Sequence, residues 1–252
     1  MSEPAKQMDR AEAVIWHDAE HGAYAADLPL WERLASEHPG GVVDLGAGTG
    51  RVSLHLAARG HQVTAVDTDP DLLAALSERA EAQDLEVEVV VGDARELDLG
   101  RSYPLIIAPM QLMHIVGGSD GRRDVLESVA SHLQPDGRFC AALLDDDYEV
   151  GGGRPDPLPD VREVDDWVYS SLPTDIRIGR RAIEMRRLRQ RVSPDGSLDE
   201  QPFSISLDRF SMAEFDRDVV ASGLRVVGAE MVASSIEYED SIAMFLRRGA
   251  DV

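Results

Sequence analysis

The sequence predicts a doubly wound α/β fold, a mainly parallel seven-stranded sheet with helices on both faces. Three observations predict it. Between Val42 and Leu144, short apolar runs alternate with helical patterns in units of about thirty residues, the spacing of βαβ crossovers. The first three runs each end at an acidic residue beside a turn, namely Asp44, Asp67 and Asp93. Two further strand-like runs, Leu224–Val232 and Ser241–Arg247, follow a late helix and complete the sheet.

The elements follow in order. Residues 9–37 carry apolar positions at helical spacing, and Pro29 suits the first turn of a second helix. Pro39-Gly40-Gly41 breaks that pattern, and Val42-Val43-Asp44-Leu45 reads as a buried strand closed by a glycine turn. Arg51 to Arg59 returns to helical spacing. Gln62–Val66 is the second strand, Asp71–Ala82 its helix, and Glu86–Val91 the third strand. Leu105–Ala108 is the fourth, followed by a helix through Val125–Leu133 after the Gly-rich GGSDGRR. Gly137–Leu144 is the fifth.

After Leu144 the alternation stops. Residues 145–165 are rich in Asp, Gly and Pro and read as loop. Residues 167–209 alternate with a period of two through Tyr169, Ile183, Met185, Phe203, Ile205 and Leu207, which predicts an antiparallel insertion of about three strands. Ser211 and Glu214 have capping-box spacing at the start of the last helix.

Bulk properties exclude several classes. The chain has 252 residues, 43% hydrophobic and 29% charged, enough for a sizeable core. No run of eighteen apolar residues is present, and the first residues do not resemble a signal peptide. One cysteine, Cys140, cannot form an internal disulfide, so a cytoplasmic location is expected. A net charge of −22 repels phosphate backbones and anionic lipid, so neither nucleic acid nor membrane is expected as a partner. The one basic stretch, Arg177 to Arg191, has no aromatic interleaving to stack bases and reads as a solvated strand face or an interface.

The strongest motif is VVDLGAGTGRVSLHLA, residues 42–57. Gly46, Gly48 and Gly50 make a tight turn where a ligand can approach the backbone, and Asp44 lies close enough to meet a cation. The spacing is G-x-G-x-G, not the G-x-G-x-x-G of dinucleotide folds. Asp67 ends the next strand, where a carboxylate can accept from two ribose hydroxyls; alone it does not separate adenosine-binding families.

With Asp93-Ala94 at the third strand end, these motifs resemble class I SAM-dependent methyltransferases, across residues 42–144 and loosely over 211–247. The resemblance implies a Rossmann-like core binding S-adenosyl-L-methionine (SAM), released as S-adenosyl-L-homocysteine. It implies that Asp44, Gly46, Ala47, Gly48 and Gly50 surround the methionine part, and that Asp67 and Thr68 meet the ribose. Asp93 and Ala94 would meet the adenine, with Pro109 and Met110 nearby. Tyr103-Pro104 replaces the usual aromatic-Asp pair before the fourth strand. Ala108-Pro109 stands where the metal-dependent subclass has Asp, so no metal is expected. WHDAEHGAYAADLPLW resembles a lid, with Trp16 and Tyr24 as its aromatics. The chain then divides into lid helices 1–41, a SAM-binding core 42–145, an antiparallel insertion 146–210 and the rest of the sheet, 211–252.

Methyl transfer needs mainly proximity and alignment, and a base only if the nucleophile arrives protonated. His114 after the fourth strand is the first candidate, with Tyr24 from the lid; His17 and His21 share a helix face. Asp145-Asp146-Asp147 and Tyr148 could receive a cationic amine. The expected acceptor is a small molecule, with the insertion covering it or forming a homodimer contact. Three alternatives stay open: a SAM-fold decarboxylase or cyclase, a non-catalytic SAM-binding module, and an NAD-dependent oxidoreductase, which Gly50 and Asp93 disfavour.

Overall fold

The computed structural model describes residues 10–144, 158–232 and 241–249. Asp145-Asp146-Asp147 and Tyr148 lie outside the described residues. In chain order the elements are α1 (Arg10–His21), α2 (Leu28–Glu37), β1 (Val42–Leu45), α3 (Arg51–Ala57), β2 (Val63–Asp67), α4 (Pro70–Ala82) and β3 (Val87–Val91). Then come β4 (Tyr103–Ala108), α5 (Gly118–His132), β5 (Leu133–Leu144), β6 (Asp160–Val164), β7 (Trp167–Ile178), β8 (Ala182–Val192) and β9 (Leu198–Asp208). The chain closes with α6 (Met212–Ala221), β10 (Leu224–Val232) and β11 (Ser241–Arg248).

The main sheet has seven strands in the order β10-β11-β5-β4-β1-β2-β3. All neighbours are parallel except β11, which runs antiparallel to both β5 and β10. Chain direction across the sheet reverses between β1 and β4, so the crevice for a ligand opens at their carboxyl ends. β1 is buried along its whole length because helices cover both faces, which is why it reads as VVDL without alternation. On one face Val43, Leu45, Ile106 and Phe139 pack against Val125, Val129, Phe215 and Val219 of α5 and α6. On the other, Val42, Leu105, Ile107 and Cys140 meet Trp31, Leu34, Val52 and Leu56 of α2 and α3.

Two expectations need correction. The helix expected after GGSDGRR begins earlier: α5 starts at Gly118, inside that stretch. Gly121 is required there because a Cβ would lie 1.8 Å from the Val116 carbonyl oxygen, so the glycine marks close helix packing and not a break. The insertion has four strands, in the order β6-β7-β8-β9. β6 escapes the alternation test because its inward positions are charged: Arg187 pairs with Asp160, and Arg162 lies 3.2 Å from Asp18.

The arginine stretch also divides. Arg180, Arg181 and Arg186 are exposed, as a solvated face requires, but Arg189 turns inward and is 6% exposed. Its guanidinium donates to both carboxylate oxygens of Glu20 at 2.8 and 2.6 Å and lies 3.6 Å from the Phe203 ring centre.

α5 and α6 are joined through one buried carboxylate. Asp218 accepts from Ser119 at 2.8 Å, from Arg122 at 2.9 and 3.1 Å, and from Arg123 at 2.9 Å. Burial pushes this carboxyl up, but the bonds from Ser119, Arg123 and Arg122 outweigh it and hold it below the usual range. Asp218→Ala would leave Arg122 buried and uncompensated and should cost about 3–5 kcal/mol in urea unfolding. A loss under about 1 kcal/mol would show that the two helices are held by apolar packing alone.

Candidate functional site

The β1–α3 connection is built on left-handed backbone: Gly46, Gly48 and Gly50 have φ of 69°, 54° and 92°. The turn is tied to the next strand, with the Gly46 and Ala47 N–H groups donating to the Val66 carbonyl at 2.8 and 3.0 Å. Gly48 N–H donates to Asp67 Oδ2 at 2.8 Å, while Asp67 Oδ1 accepts from Asp69 N–H at 2.9 Å. Asp67 thus shapes the glycine loop, and each of its oxygens retains a second lone pair for a ligand hydroxyl. Thr68 follows it, exposed.

Beneath the turn lies Asp44, 1% exposed. Its Oδ2 accepts from Ser53 Oγ at 2.6 Å, but Oδ1 is buried with no hydrogen-bond partner. Burial pushes the carboxyl up to about 7, against the pull of Ser53 and Arg51. A buried acceptor without a donor is costly, and an ammonium group at Oδ1 would both satisfy it and restore its charge. The donor set therefore fits the cationic end of an amino-acid-bearing cofactor.

At the end of β3, Gly92 N–H donates to the Asp67 carbonyl at 2.9 Å, which places Asp93 beside the same crevice. The Asp93 carboxylate caps the next turn at Arg95 N–H (2.9 Å) and pairs with the Arg95 guanidinium at 2.6–3.0 Å. Those bonds hold it below the usual carboxylate range. Ala94 is buried next to it. After β4, Pro109 and Met110 are half-buried, and Met110 holds a left-handed φ of 55°, a strained state for a non-glycine residue. Leu112 then packs over Gly46, 3.2 Å from where a Cβ would lie.

α1 lies directly on the loop. It is His17, not Trp16, that meets the glycines: a Cβ on Gly48 would fall 2.4 Å from His17 Nε2. His17 Nδ1 lies 3.3 Å from Thr49 Oγ1, and burial chiefly lowers its proton affinity. His21, with its ring 5.0 Å from that of His17, is pushed down to about 4 by burial and then by His17. Trp16 turns to the insertion and packs edge-on to Tyr169 at 5.2 Å. Helical spacing separates Trp16 and His17 by about 100°, so this sequence presents the histidine, and not the aromatic, to the loop. Tyr24 is buried with the Arg51 guanidinium 5.1 Å from its ring centre; Arg51 also donates to the Tyr24 carbonyl and to Asp27.

His114, expected to face the methyl group, has both ring nitrogens engaged within the fold. It is 2% exposed and stacked on Phe210 at 4.4 Å. Its Nδ1 contacts the Asp208 carbonyl at 2.7 Å, and its Nε2 accepts from Leu144 N–H at 3.1 Å. The tautomer that satisfies both carries the proton on Nδ1, and it ties β5 to β9 with no lone pair left for a substrate. The structure therefore gathers Asp44, Gly46 to Gly50, Asp67 and His17 into one crevice, sets Asp93 at its edge, and ties both nitrogens of His114 to backbone.

Burial is also the chief reason that His114 binds its proton less readily than its ordinary 6.5. A folded state that needs the neutral ring is fully stabilised above that value and loses the contribution as pH falls below it. His114→Ala should cost about 2–3 kcal/mol at pH 8 and flatten the acid side of a urea stability profile. Unchanged stability with lost turnover would instead make His114 a proton-transfer group.

Residues 42–137 match the family model described as a methyltransferase domain. The chain is 38% identical over 115 residues to a probable cobalt-precorrin-6B C(15)-methyltransferase (decarboxylating) of Methanobrevibacter smithii, covering 43% of this chain and 57% of that one. It is 34% identical over 104 residues to the cypemycin N-terminal methyltransferase of a Streptomyces species, covering 41% and 40%. The matches thus span about half or less of these relatives. Among solved structures, the sugar N-methyltransferase KedS8 of a Streptoalloteichus species superposes with a TM-score of 0.74 at 17% identity, covering 98% of this chain and 97% of that one. A SAM-dependent methyltransferase of Clostridium acetobutylicum gives 0.72 at 14%, covering 94% and 98%. At such identities the structural likeness is one of fold. Over residues 42–137 the chain is thus similar to methyltransferase domains, and the solved SAM-dependent methyltransferase structures share its fold.

Proposed function

We propose that the protein transfers a methyl group from SAM to a small-molecule amine. The observation that carries the cofactor reading is the orphaned Asp44 Oδ1 under the glycine loop. Asp44 would take the ammonium of the methionine part, and Asp67 the ribose hydroxyls. Asp93 and Ala94 would receive the adenine, with Arg95 turning outward from its present pair. When bound, SAM supplies a methyl group already activated by its sulfonium, so the chain's work is alignment and exclusion of water. An amine arriving unprotonated needs no base, which agrees with the engaged state of His114. Tyr24 and Arg51 would brace the lid over the site.

The amine acceptor draws on the relatives' names: KedS8 is a sugar N-methyltransferase, CalS10 an amino pentose methyltransferase, and the cypemycin enzyme acts at an N-terminus. The reading includes a cytoplasmic protein without nucleic-acid or membrane partners; no described helix is long and apolar enough to cross a membrane. Its insertion, 146–210, would cover the acceptor or contact a second copy.

Calorimetry with SAM and S-adenosyl-L-homocysteine tests the cofactor site. Wild type should bind both, and Asp44→Asn and Asp67→Ala should each weaken binding at least about tenfold. Because the ammonium needs an ionised partner, affinity should rise with pH up to about 7, where Asp44 titrates, and level off above it. Absence of binding by folded wild type would refute the proposal. Binding without S-adenosyl-L-homocysteine formation across a panel of amines would refute the transfer step alone.

A further inference from the structure

At the other end of the main sheet, three arginines stand side by side. Arg225 of β10 is directly opposite Arg247 of β11. The β11–β5 register runs to Leu246 opposite Phe139, and its next step sets Arg247 against Arg138. Directly opposed residues share a face, so all three guanidiniums project from the face covered by α2. The Arg138 guanidinium lies 5.7 Å from the ring centre of Phe245, which precedes Arg247 on that face. Arg138 and Arg247 are half-buried and Arg225 is exposed.

None of the three has an ion pair among the described residues, and the Nε atoms of Arg138 and Arg247 are buried without a hydrogen-bond partner. Glu230, on the same face, is taken by Arg33 of α2 at 2.5 Å. Like charges on adjacent strands, about 4.8 Å apart, destabilise a sheet. The chain has 47 acidic residues with which to neutralise such a row, and elsewhere its inward arginines are paired. Here the row is left open.

We propose that Arg138, Arg225 and Arg247 form a binding site for an oxyanion, the phosphate group of a small ligand. Guanidinium groups offer planar pairs of donors that match phosphate oxygens, and three in a row supply both charge and direction. A polyanion is disfavoured by the net charge of −22, which leaves a compact anion as the fitting occupant. The site is separate from the glycine-loop crevice: six residue steps along β5, about 20 Å of strand, take Arg138 to Leu144 at the carboxyl end. It does not depend on the proposed methyl transfer.

The test compares thermal melts in sodium phosphate and sodium chloride at matched ionic strength, with ribose 5-phosphate as a second probe. Wild type should gain about 2–6 °C in tens of millimolar phosphate over chloride. The gain should vanish in R138Q and R247Q and shrink in R225Q, whose exposed position leaves folding intact. R248Q, one residue along β11 on the opposite face, should keep it. A larger gain with ribose 5-phosphate than with phosphate identifies a phosphorylated small molecule as the ligand; an equal gain identifies the free anion. No gain in wild type, or an equal gain in all the variants, overturns the site.

Discussion

The arrangement of this protein depends on three buried carboxylates in its N-terminal segment. Asp18, Glu20 and Asp27 are 5%, 7% and 2% exposed, and each is met by arginine from a different part of the chain. Asp18 takes Arg79 of α4 at 2.5 Å, Glu20 takes Arg189 of β8 at 2.6 Å, and Asp27 takes Arg51 of α3 at 2.6 Å. Core, insertion and loop helix are therefore clamped to one short helical segment. Buried pairs of this kind add little net stability once desolvation is counted. Removing one partner is expensive, however, so they select one relative placement of the two sheets over its neighbours.

That clamp explains why the glycine crevice is tight. α1 is pulled toward the core by Arg79 and toward the insertion by Arg189, and His17, lying between Trp16 and Asp18, is driven onto Gly48. Trp16 fills the opposite side, where Arg189 and Tyr169 receive it. An open cleft of about 660 Å³ lies instead at the amino-terminal ends of β1 to β4, around Gln62, Thr64, Glu88 and Arg101. Its polar groups are already joined to each other, Thr64 to Glu88 and Tyr103, and Arg101 to both, so volume alone is a poor guide to chemistry here.

What could be read from sequence was what local periodicity and turn chemistry determine. The parallel strands, the glycine turn and the capping box at Ser211 all announce themselves within a few residues. β6 and the start of α5 did not, because DVREV looks soluble until Asp160 and Arg162 find partners far away, and GGSDGRR hides the helix start until Gly121 meets Val116. The same division runs through the site. Asp44 and Asp67 were visible as strand ends, whereas the fate of Asp93 was decided by Arg95, and that of His114 by Asp208 and Leu144, thirty or more residues away. A histidine whose two nitrogens are both engaged looks, in sequence, like one that is free.

The imidazole of His17 fills the space against Gly48. A molecule seated against Gly48 and the His17 ring cannot share that space, so each arrival is also an eviction. The ring moves by rotating about its own side chain or by carrying α1 with it; in the second case Asp18 and Glu20 transmit the motion to both sheets. Traffic at the loop would then follow the pace of a helix working against its ion pairs, and because their carboxylates are buried, added salt would change it little.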